Sequence, residues 1–295
     1  MRDVDGFASV GVVGAGQMGG GIAFACALAG YDVYLHDLSA ARIAAGVCAV
    51  ERDLGRKVRR GEISSQDAEA ALVRVRPTEA LTDIARSNLV IEAVAEREDV
   101  KAEIFRTLSA ALQPGAILAS NTSSISITRL AAATRNPEQF IGLHFMNPVA
   151  KMKLVEVIRG VRTSQETFTI ASGFVSSIGK TIIEAEDSPA FIVNRILITM
   201  INEAVYTLYE GVGSVAAIDS AMKLGANQPM GPLQLADFIG LDTVLATMNV
   251  LHSGLADSKY RPCPLLVRYA EAGWLGRKTG RGFYDYAGDA PVPTR

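Results

Sequence analysis

The stretch Gly14-Ala-Gly-Gln-Met-Gly19 restricts this chain more than any other, because of what stands on either side of it. An apolar run of β type, Ala8 to Val13, leads into it. A helical pattern, Gly20 to Ala29, leaves it, and a second strand pattern, Asp32 to His36, ends on Asp37. Strand, glycine loop, helix, strand and acid in that order form a dinucleotide-binding fingerprint, with Asp37 about 18 residues past the last glycine. Gly14 permits the tight turn, Gly16 lets the backbone approach a pyrophosphate, and Gly19 lets helix and strand pack closely. Gln17 and Met18, between them, join the candidate cofactor loop. Stripped of its flanks, such a motif in a chain of 27 glycines is only a turn that packs a helix.

The helix that follows presents unsatisfied N–H groups to a phosphate. Asp37 suits the ribose hydroxyls, and its charge repels a 2′-phosphate, which favours NAD over NADP. Arg42, a turn beyond, pulls the other way.

Strands and helices continue to alternate. Residues 39–73 read as two helices, Ser39 to Arg60 and Ser64 to Val73, broken at Gly61. Then come a strand at Leu89 to Val94, a helix at Asp99 to Leu112 and a strand at Ala116 to Ser120. A helix from Gln165 to about Ile178 and a strand at Thr181 to Glu184 follow. This alternation predicts an α/β Rossmann-type, doubly wound, mostly parallel sheet. Ligands of such sheets sit outside the carboxyl ends of the strands, which puts Glu96 and Asn121-Thr-Ser123 on the cofactor side. Beyond residue 187 the patterns are helical, with no β alternation before the tail. The expected organisation is a nucleotide-binding domain over 1–186 and an all-helical C-terminal domain over 187–295. A long helix, Ala190 to Glu210, opens the second, with Ser188 as cap and Pro189 at its first position.

Between Phe140 and Ile158 lie two apolar runs joined by a turn around Asn147-Pro148, where proline cannot serve a strand ladder. Folded as a hairpin centred near Ala150, they set His144 opposite Glu156, with Cβ atoms ~5 Å apart. An imidazole beside a carboxylate is held in orientation for acid–base work. The plainer reading is a buried histidine satisfied by its neighbour.

Bulk properties narrow the function classes. With 295 residues, 49% of them hydrophobic, the chain can bury two cores, and a net charge of −2 supplies no basic field for nucleic acid or anionic membrane. No apolar run reaches the ~18–20 residues that span a bilayer. The start, Met1-Arg-Asp-Val-Asp-Gly6, carries two acids and does not read as a signal peptide. Cys26, Cys48 and Cys263 have no metal-type spacing, so no metal site is expected, and free thiols suit a cytoplasmic protein. Arg56-Lys57-Val-Arg59-Arg60 reads either as a solvated helix face or as a docking surface for a phosphorylated carrier.

Taken with Ala119-Ser-Asn-Thr-Ser-Ser124, Gly142-Leu-His-Phe-Met-Asn-Pro148 and Lys153-Leu-Val-Glu-Val157, the glycine motif carries a resemblance over essentially the whole chain. Asp187-Ser-Pro-Ala-Phe-Ile-Val-Asn-Arg195, Ala221-Met-Lys-Leu-Gly225, Pro229-Met-Gly-Pro232 and Gly276-Arg-Lys-Thr-Gly-Arg-Gly-Phe-Tyr-Asp285 extend it. The chain resembles the 3-hydroxyacyl-CoA dehydrogenase family, and within it the short bacterial 3-hydroxybutyryl-CoA dehydrogenase type. The resemblance implies NAD-dependent, reversible oxidation of an (S)-3-hydroxyacyl-CoA. It implies His144 as base, Glu156 as its partner, and Ser123 and Asn194 as the groups that hold the reacting oxygen. Asp37, Glu96, Lys101, Asn121 and Asn147 become expected cofactor contacts, and a homodimer through the helical domain is implied. It sets Arg56, Lys57, Arg59 and Arg60 near the nucleotide end of CoA. Two other readings stay open: a dehydrogenase of a free hydroxy acid such as L-gulonate or carnitine, and a non-catalytic NAD-binding structural or sensor protein.

Overall fold

A computed structural model describes residues 7–295, so the start Met1–Gly6 lies outside the described residues. The chain divides into two compact units, Met1–Ser188 and Pro189–Arg295.

In the first unit, one sheet is built from β1 (Ser9–Val13), β2 (Asp32–His36), β3 (Val75–Pro77) and β4 (Leu89–Glu92). It continues with β5 (Ile117–Ser120), β6 (Phe140–Phe145), β7 (Leu154–Arg159) and β8 (Thr181–Glu186). The spatial order is β3-β2-β1-β4-β5-β6-β7-β8. Strands β1 to β6 run parallel, β7 pairs antiparallel with β6, and β8 runs parallel to β7. The connecting helices are α1 (Gln17–Leu28), α2 (Ala40–Arg59), α3 (Ser65–Val73), α4 (Glu98–Ala111), α5 (Ile127–Ala131) and α6 (Gln165–Ser177). Chain order reverses at β1, between β2 on one side and β4 on the other, which makes the crevice there the natural ligand position. Strands β4, β5 and β6 are buried along their whole length, as expected of central parallel strands covered by helices.

Strand β3 and the start of helix α1 depart from the sequence reading. Strand β3 was not anticipated: it is three residues long, ends in Pro77 and lies at the sheet edge, where a missing N–H costs no ladder bond. Helix α1 begins at Gln17, inside the glycine motif, rather than at Gly20.

The second unit is built from α7 (Val193–Tyr209), α8 (Val215–Gly225), α9 (Pro232–Ile239), α10 (Leu241–Leu255) and α11 (Pro264–Glu271). A short hairpin of β9 (Tyr284–Asp285) and β10 (Val292–Pro293) closes it. Its core gathers Ile201, Val205, Leu233, Val244, Met248, Leu251, Leu266 and Phe283. Helix α7 starts three residues later than the pattern suggests, and neither Ser188 as cap nor Pro189 as first helical residue holds. Ala190 and Phe191 take φ of 60° and 52°, and two consecutive left-handed residues cannot belong to a right-handed helix. Asn194 is therefore the second helical residue, not one to two turns inside.

Two buried aspartates pin the tail to this bundle. Asp219 accepts from the N–H groups of Leu233 and Gln234 at 2.8 and 3.0 Å and from the Tyr284 hydroxyl at 2.7 Å. Asp237 accepts from the N–H groups of Phe283 and Tyr284, both at 2.9 Å, and from the Tyr286 hydroxyl at 3.0 Å. A Cβ on Gly282 would stand 1.9 Å from Asp237 Oδ1, and one on Gly231 would stand 2.2 Å from Asp219 Cγ. Glycine in these two sequence words thus serves packing. Asp237→Ala strands three donors, each worth about 1–3 kcal/mol when buried and unmet. Urea unfolding of this variant should show at least about 3 kcal/mol of lost stability. A loss below about 1 kcal/mol would mean the tail is held by other contacts.

Candidate active site

The glycine loop is shaped by protein atoms at two positions and by none at the third. Gly14 has φ of +101°, and a Cβ there would stand 2.5 Å from the Ala93 carbonyl oxygen. A Cβ on Gly19 would fall 1.7 Å from the Gly14 oxygen. At Gly16 a Cβ would meet nothing within 4 Å. This residue is also the N-cap of α1, where no side chain caps the helix and no acid occupies the first turn. A bare helix N-terminus beside an unfilled glycine fits the pyrophosphate of a dinucleotide. Gln17 is exposed and Met18 half-buried on that first turn. Asp37, at the end of β2, braces the loop through Oδ2, which accepts from the Ala15 N–H at 2.8 Å. Its Oδ1 accepts from the Leu38 N–H and pairs with Arg42 at 3.5 Å.

On β6 and β7 the pairing register is Gly142 with Ile158, Leu143 with Val157, His144 with Glu156 and Phe145 with Val155. The two functional candidates face each other as the hairpin reading expects. His144 Nδ1 lies 2.7 Å from Glu156 Oε2, with the histidine side chain 7% and the glutamate 0% exposed. A carboxylate so close sets the ring's orientation and places the N–H on Nδ1. The turn that follows β6 carries Asn147, which is exposed, and a cis Asn147–Pro148 bond. Lys180 holds that turn, with Nζ donating to the carbonyls of Val149 at 2.5 Å and Met152 at 2.8 Å. Burial, then the nearby Lys57 charge, pushes the Lys180 ammonium below the usual lysine range.

The turn after β5 is drawn to the same edge. Asn121 Oδ1 accepts from the N–H of Phe145, the neighbour of His144, at 2.9 Å. Glu96 Oε1 then accepts from Thr122 Oγ1 at 2.5 Å, the Ser123 N–H at 2.9 Å, the Ser124 N–H at 3.1 Å and Ser124 Oγ at 3.0 Å, with Ser123 Oγ at 3.3 Å. Burial works to raise this carboxyl, but Lys101 and these hydrogen bonds outweigh it and hold Glu96 below the usual glutamate range. Lys101 is 1% exposed, its Nζ lying 2.6 Å from Glu92 Oε1 and 3.3 Å from Glu96 Oε2. Asp187 accepts from Ser126 Oγ and from the N–H groups of Ile127 and Thr128, which caps α5 immediately after this turn.

Sequence-derived candidates in the α/β unit therefore collect at one edge of the sheet: Gly14, Gly16, Gly19, Asp37, Glu96, Lys101, Asn121, Ser123, His144, Asn147 and Glu156. Asn194 belongs to the helical unit, half-buried in the first turn of α7. The basic cluster behaves unevenly. Arg56 pairs with Asp53, while Lys57 and Arg60 pair with Glu62 at 2.5 and 3.8 Å. Lys57 and Arg60 line a surface depression of about 570 Å³ together with Lys151, Lys153 and Lys180, and Arg56 and Arg59 do not. Sequence reasoning missed Glu92, Ser120 and Lys180. Glu92 and Ser120 left one faint signal, a polar residue in an otherwise apolar strand run.

A glycine-looped, mostly parallel sheet with an acid just past its second strand and a buried imidazole–carboxylate pair at its carboxyl edge defines a nicotinamide-dependent dehydrogenase. Comparison narrows the class. The 3-hydroxyacyl-CoA dehydrogenase NAD binding domain model matches residues 9–188, and the 3-hydroxyacyl-CoA dehydrogenase C-terminal domain model matches residues 191–286. A 3-hydroxybutyryl-CoA dehydrogenase of Bradyrhizobium diazoefficiens is 63% identical over 97% of this chain and 98% of its own. One of Mycobacterium tuberculosis is 41% identical over 96% and 99%. The crystal structure of (S)-3-hydroxybutyryl-CoA dehydrogenase from Ralstonia eutropha superposes with a TM-score of 0.93 at 47% identity, covering 96% of this chain and all of that one. This chain belongs to the 3-hydroxyacyl-CoA dehydrogenase family.

The depressed Glu96 carboxyl gives a stability signature. Its contribution is complete above pH 4.5, the ordinary glutamate value, and is lost as pH falls through the lower folded value. Thermal unfolding of wild type and Glu96→Gln across acid pH should therefore differ most above pH 4.5 and converge below it. Parallel curves would mean the five donors do not stabilise the charged form.

Proposed function

We propose that this protein reversibly oxidises (S)-3-hydroxybutyryl-CoA, or a close (S)-3-hydroxyacyl-CoA, to the 3-ketoacyl-CoA with NAD. The observation that carries the reading is the buried His144–Glu156 pair at 2.7 Å on the cofactor edge of the sheet. With Nδ1 given to the carboxylate, Nε2 is the nitrogen that takes the hydroxyl proton as the C3–O bond becomes a carbonyl. Bound NAD supplies the acceptor for the hydride that leaves C3. Glu156 stabilises the imidazolium that forms, and in the reverse direction the same proton returns to the alkoxide oxygen. Ser123 Oγ and Asn194 serve as donors to the oxygen as its charge changes, a role preorganised donors perform well. The assignment of Asn194 rests on the family resemblance.

The cofactor set comprises Gly14, Gly16, Gly19, Gln17, Met18, Asp37, Glu96, Lys101, Asn121 and Asn147. Support for NAD over NADP comes from Asp37, whose charge stands where a 2′-phosphate would need a cation. The depression lined by Lys57, Arg60, Lys151, Lys153 and Lys180 suits the phosphates of CoA, with Phe24, Leu28 and Met152 as an apolar floor. We extend the reading to the unit boundary near Asp187, a homodimer formed through the helical unit, and a cytoplasmic setting. The setting accords with three free cysteines, and no helix among the described residues is long and apolar enough to cross a membrane.

The direct test is loss of NADH absorbance when acetoacetyl-CoA is added to purified protein, repeated with NADPH. Rapid loss with NADH alone is expected; none with either cofactor, in protein that binds NADH, would reject the reading. His144→Ala should lower kcat by about 10²–10⁴ while NADH binding is retained, and near-normal turnover would remove His144 as base. Lys57→Ala with Arg60→Ala should raise KM for acetoacetyl-CoA about tenfold at unchanged kcat, and leave any turnover of a small free hydroxy acid unaffected. An unchanged KM would move CoA docking elsewhere.

A further inference from the structure

One buried carboxylate in the α/β unit is unused by the mechanism above. Glu92, the last residue of β4, is 0% exposed and stands beside the end of β5, its register partner there being Ser120. Its side chain is surrounded by donors. Oε1 accepts from Lys101 Nζ and from the Val94 N–H, both at 2.6 Å, and Oε2 accepts from Ser120 Oγ at 2.7 Å. A strand end in the middle of a sheet is an unfavourable place for a charge, because water is excluded there. An apolar residue would complete β4 as Leu89, Val90 and Ile91 begin it.

Two chains of contacts run from Glu92 to one turn. Along the first, Lys101 Nζ, fixed on Glu92, reaches Glu96 Oε2 at 3.3 Å. The other oxygen of Glu96 gathers Thr122 Oγ1 and the N–H groups of Ser123 and Ser124. Along the second, Ser120 Oγ donates to Glu92 and accepts from the Thr122 N–H at 3.2 Å. The backbone adds a third tie, since the Asn121 N–H donates to the Glu92 carbonyl at 2.8 Å. Glu96 is 37% exposed and sits in a loop, so by itself it is a movable anchor. Lys101, on α4 and almost wholly buried, is not movable once Glu92 holds it. The ties that hold the turn therefore lead back to β4.

We propose that Glu92 is a positioning residue for the Thr122–Ser124 turn, acting through Lys101 with Glu96 on one side and through Ser120 on the other. Its catalytic consequence rests on the function proposed above. Ser123 Oγ has Glu96 as its partner at 3.3 Å, and it must turn toward the substrate oxygen without the turn itself shifting. A carboxylate that receives only donors cannot exchange partners with the turn, so the turn keeps one geometry while the Ser123 hydroxyl moves. Glu92→Gln keeps the shape, removes the charge and places an amide N–H₂ against a donor on one side or the other.

Amide hydrogen exchange and steady-state kinetics of the full-length protein test this together. In Glu92→Gln, exchange at the Thr122, Ser123 and Ser124 amides should rise about tenfold or more. The Ile127 and Thr128 amides, held by Asp187, should stay near wild type. With acetoacetyl-CoA and NADH, kcat should fall about tenfold or more at a KM within about threefold. In a Ser123→Ala background the same Glu92→Gln change should cost less than about threefold, because the group being positioned is gone. Unchanged exchange in the turn, or a full additional loss in the Ser123→Ala background, would overturn the proposal and leave Glu92 a purely structural residue. Should Glu92→Gln not fold, Ser120→Ala removes one arm without changing charge and is read by the same exchange and kinetic criteria. A wild-type protein inactive on acetoacetyl-CoA would reject the function alone, since the exchange result still decides whether Glu92 orders the turn.

Discussion

The antiparallel pairing of β7 on β6 is the constraint on which this site depends. Six parallel strands bring their carboxyl ends to one edge, but parallel neighbours alone would put no partner strand across from His144 in the register of a hairpin. Reversal through the cis Asn147–Pro148 turn places Glu156 opposite His144, and the same turn carries Asn147. A slip of one residue would face His144 with Val155 or Val157 and turn Glu156 to the other face of the sheet. The apolar neighbours Leu143, Phe145, Val155 and Val157, all buried, make that slip costly. Packing on both sides of the pair thus specifies the chemistry between them.

Two strand ends on either side of β5 repeat one physical device. At the end of β6 a buried imidazole meets a buried carboxylate; at the end of β4 a buried carboxylate meets a buried ammonium. Strand β5 lies between them and releases the Asn121–Ser124 turn, which is tied to β6 through Asn121 and to β4 through Ser120 and Glu96. Buried polar and charged pairs contribute little net stability, since desolvation offsets most of their attraction. What such pairs supply here is position: each permits only donors on one side and only acceptors on the other. That is the property a site needs if Ser123 and His144 are to meet one oxygen atom.

The helical unit shows that a diagnostic sequence word need not mark a functional side chain. Gly231 and Gly282 give way to the carboxylates of Asp219 and Asp237, and Gly276, with φ of +86°, lies against the Asp237 backbone. Glycine at these three positions follows from close packing around two aspartates that hold the tail. The words that carry the family resemblance at the C-terminus are therefore read most directly as the mechanics of folding this bundle.

Local patterns were enough for the glycine loop, Asp37, the alternation of strand and helix, and the His144–Glu156 opposition, because each is settled by neighbours in sequence or by the symmetry of one hairpin. Tertiary structure decided the rest. The burial of Lys101 against Glu92 is visible only once β4 and α4 are packed, and Lys180 gains its role from a turn about 30 residues away. The left-handed Ala190 and Phe191, which delay α7 and move Asn194 into its first turn, contradict a pattern that reads as continuous helix. Periodicity and spacing record which face a residue must take, whereas a buried charge finds its partner across distances that the sequence does not encode locally. For this protein the sequence by itself determined the fold class, the family and the pairing of His144 with Glu156. Only the folded sheet decided which charges stand around that pair, because those contacts join strand ends that are remote along the chain.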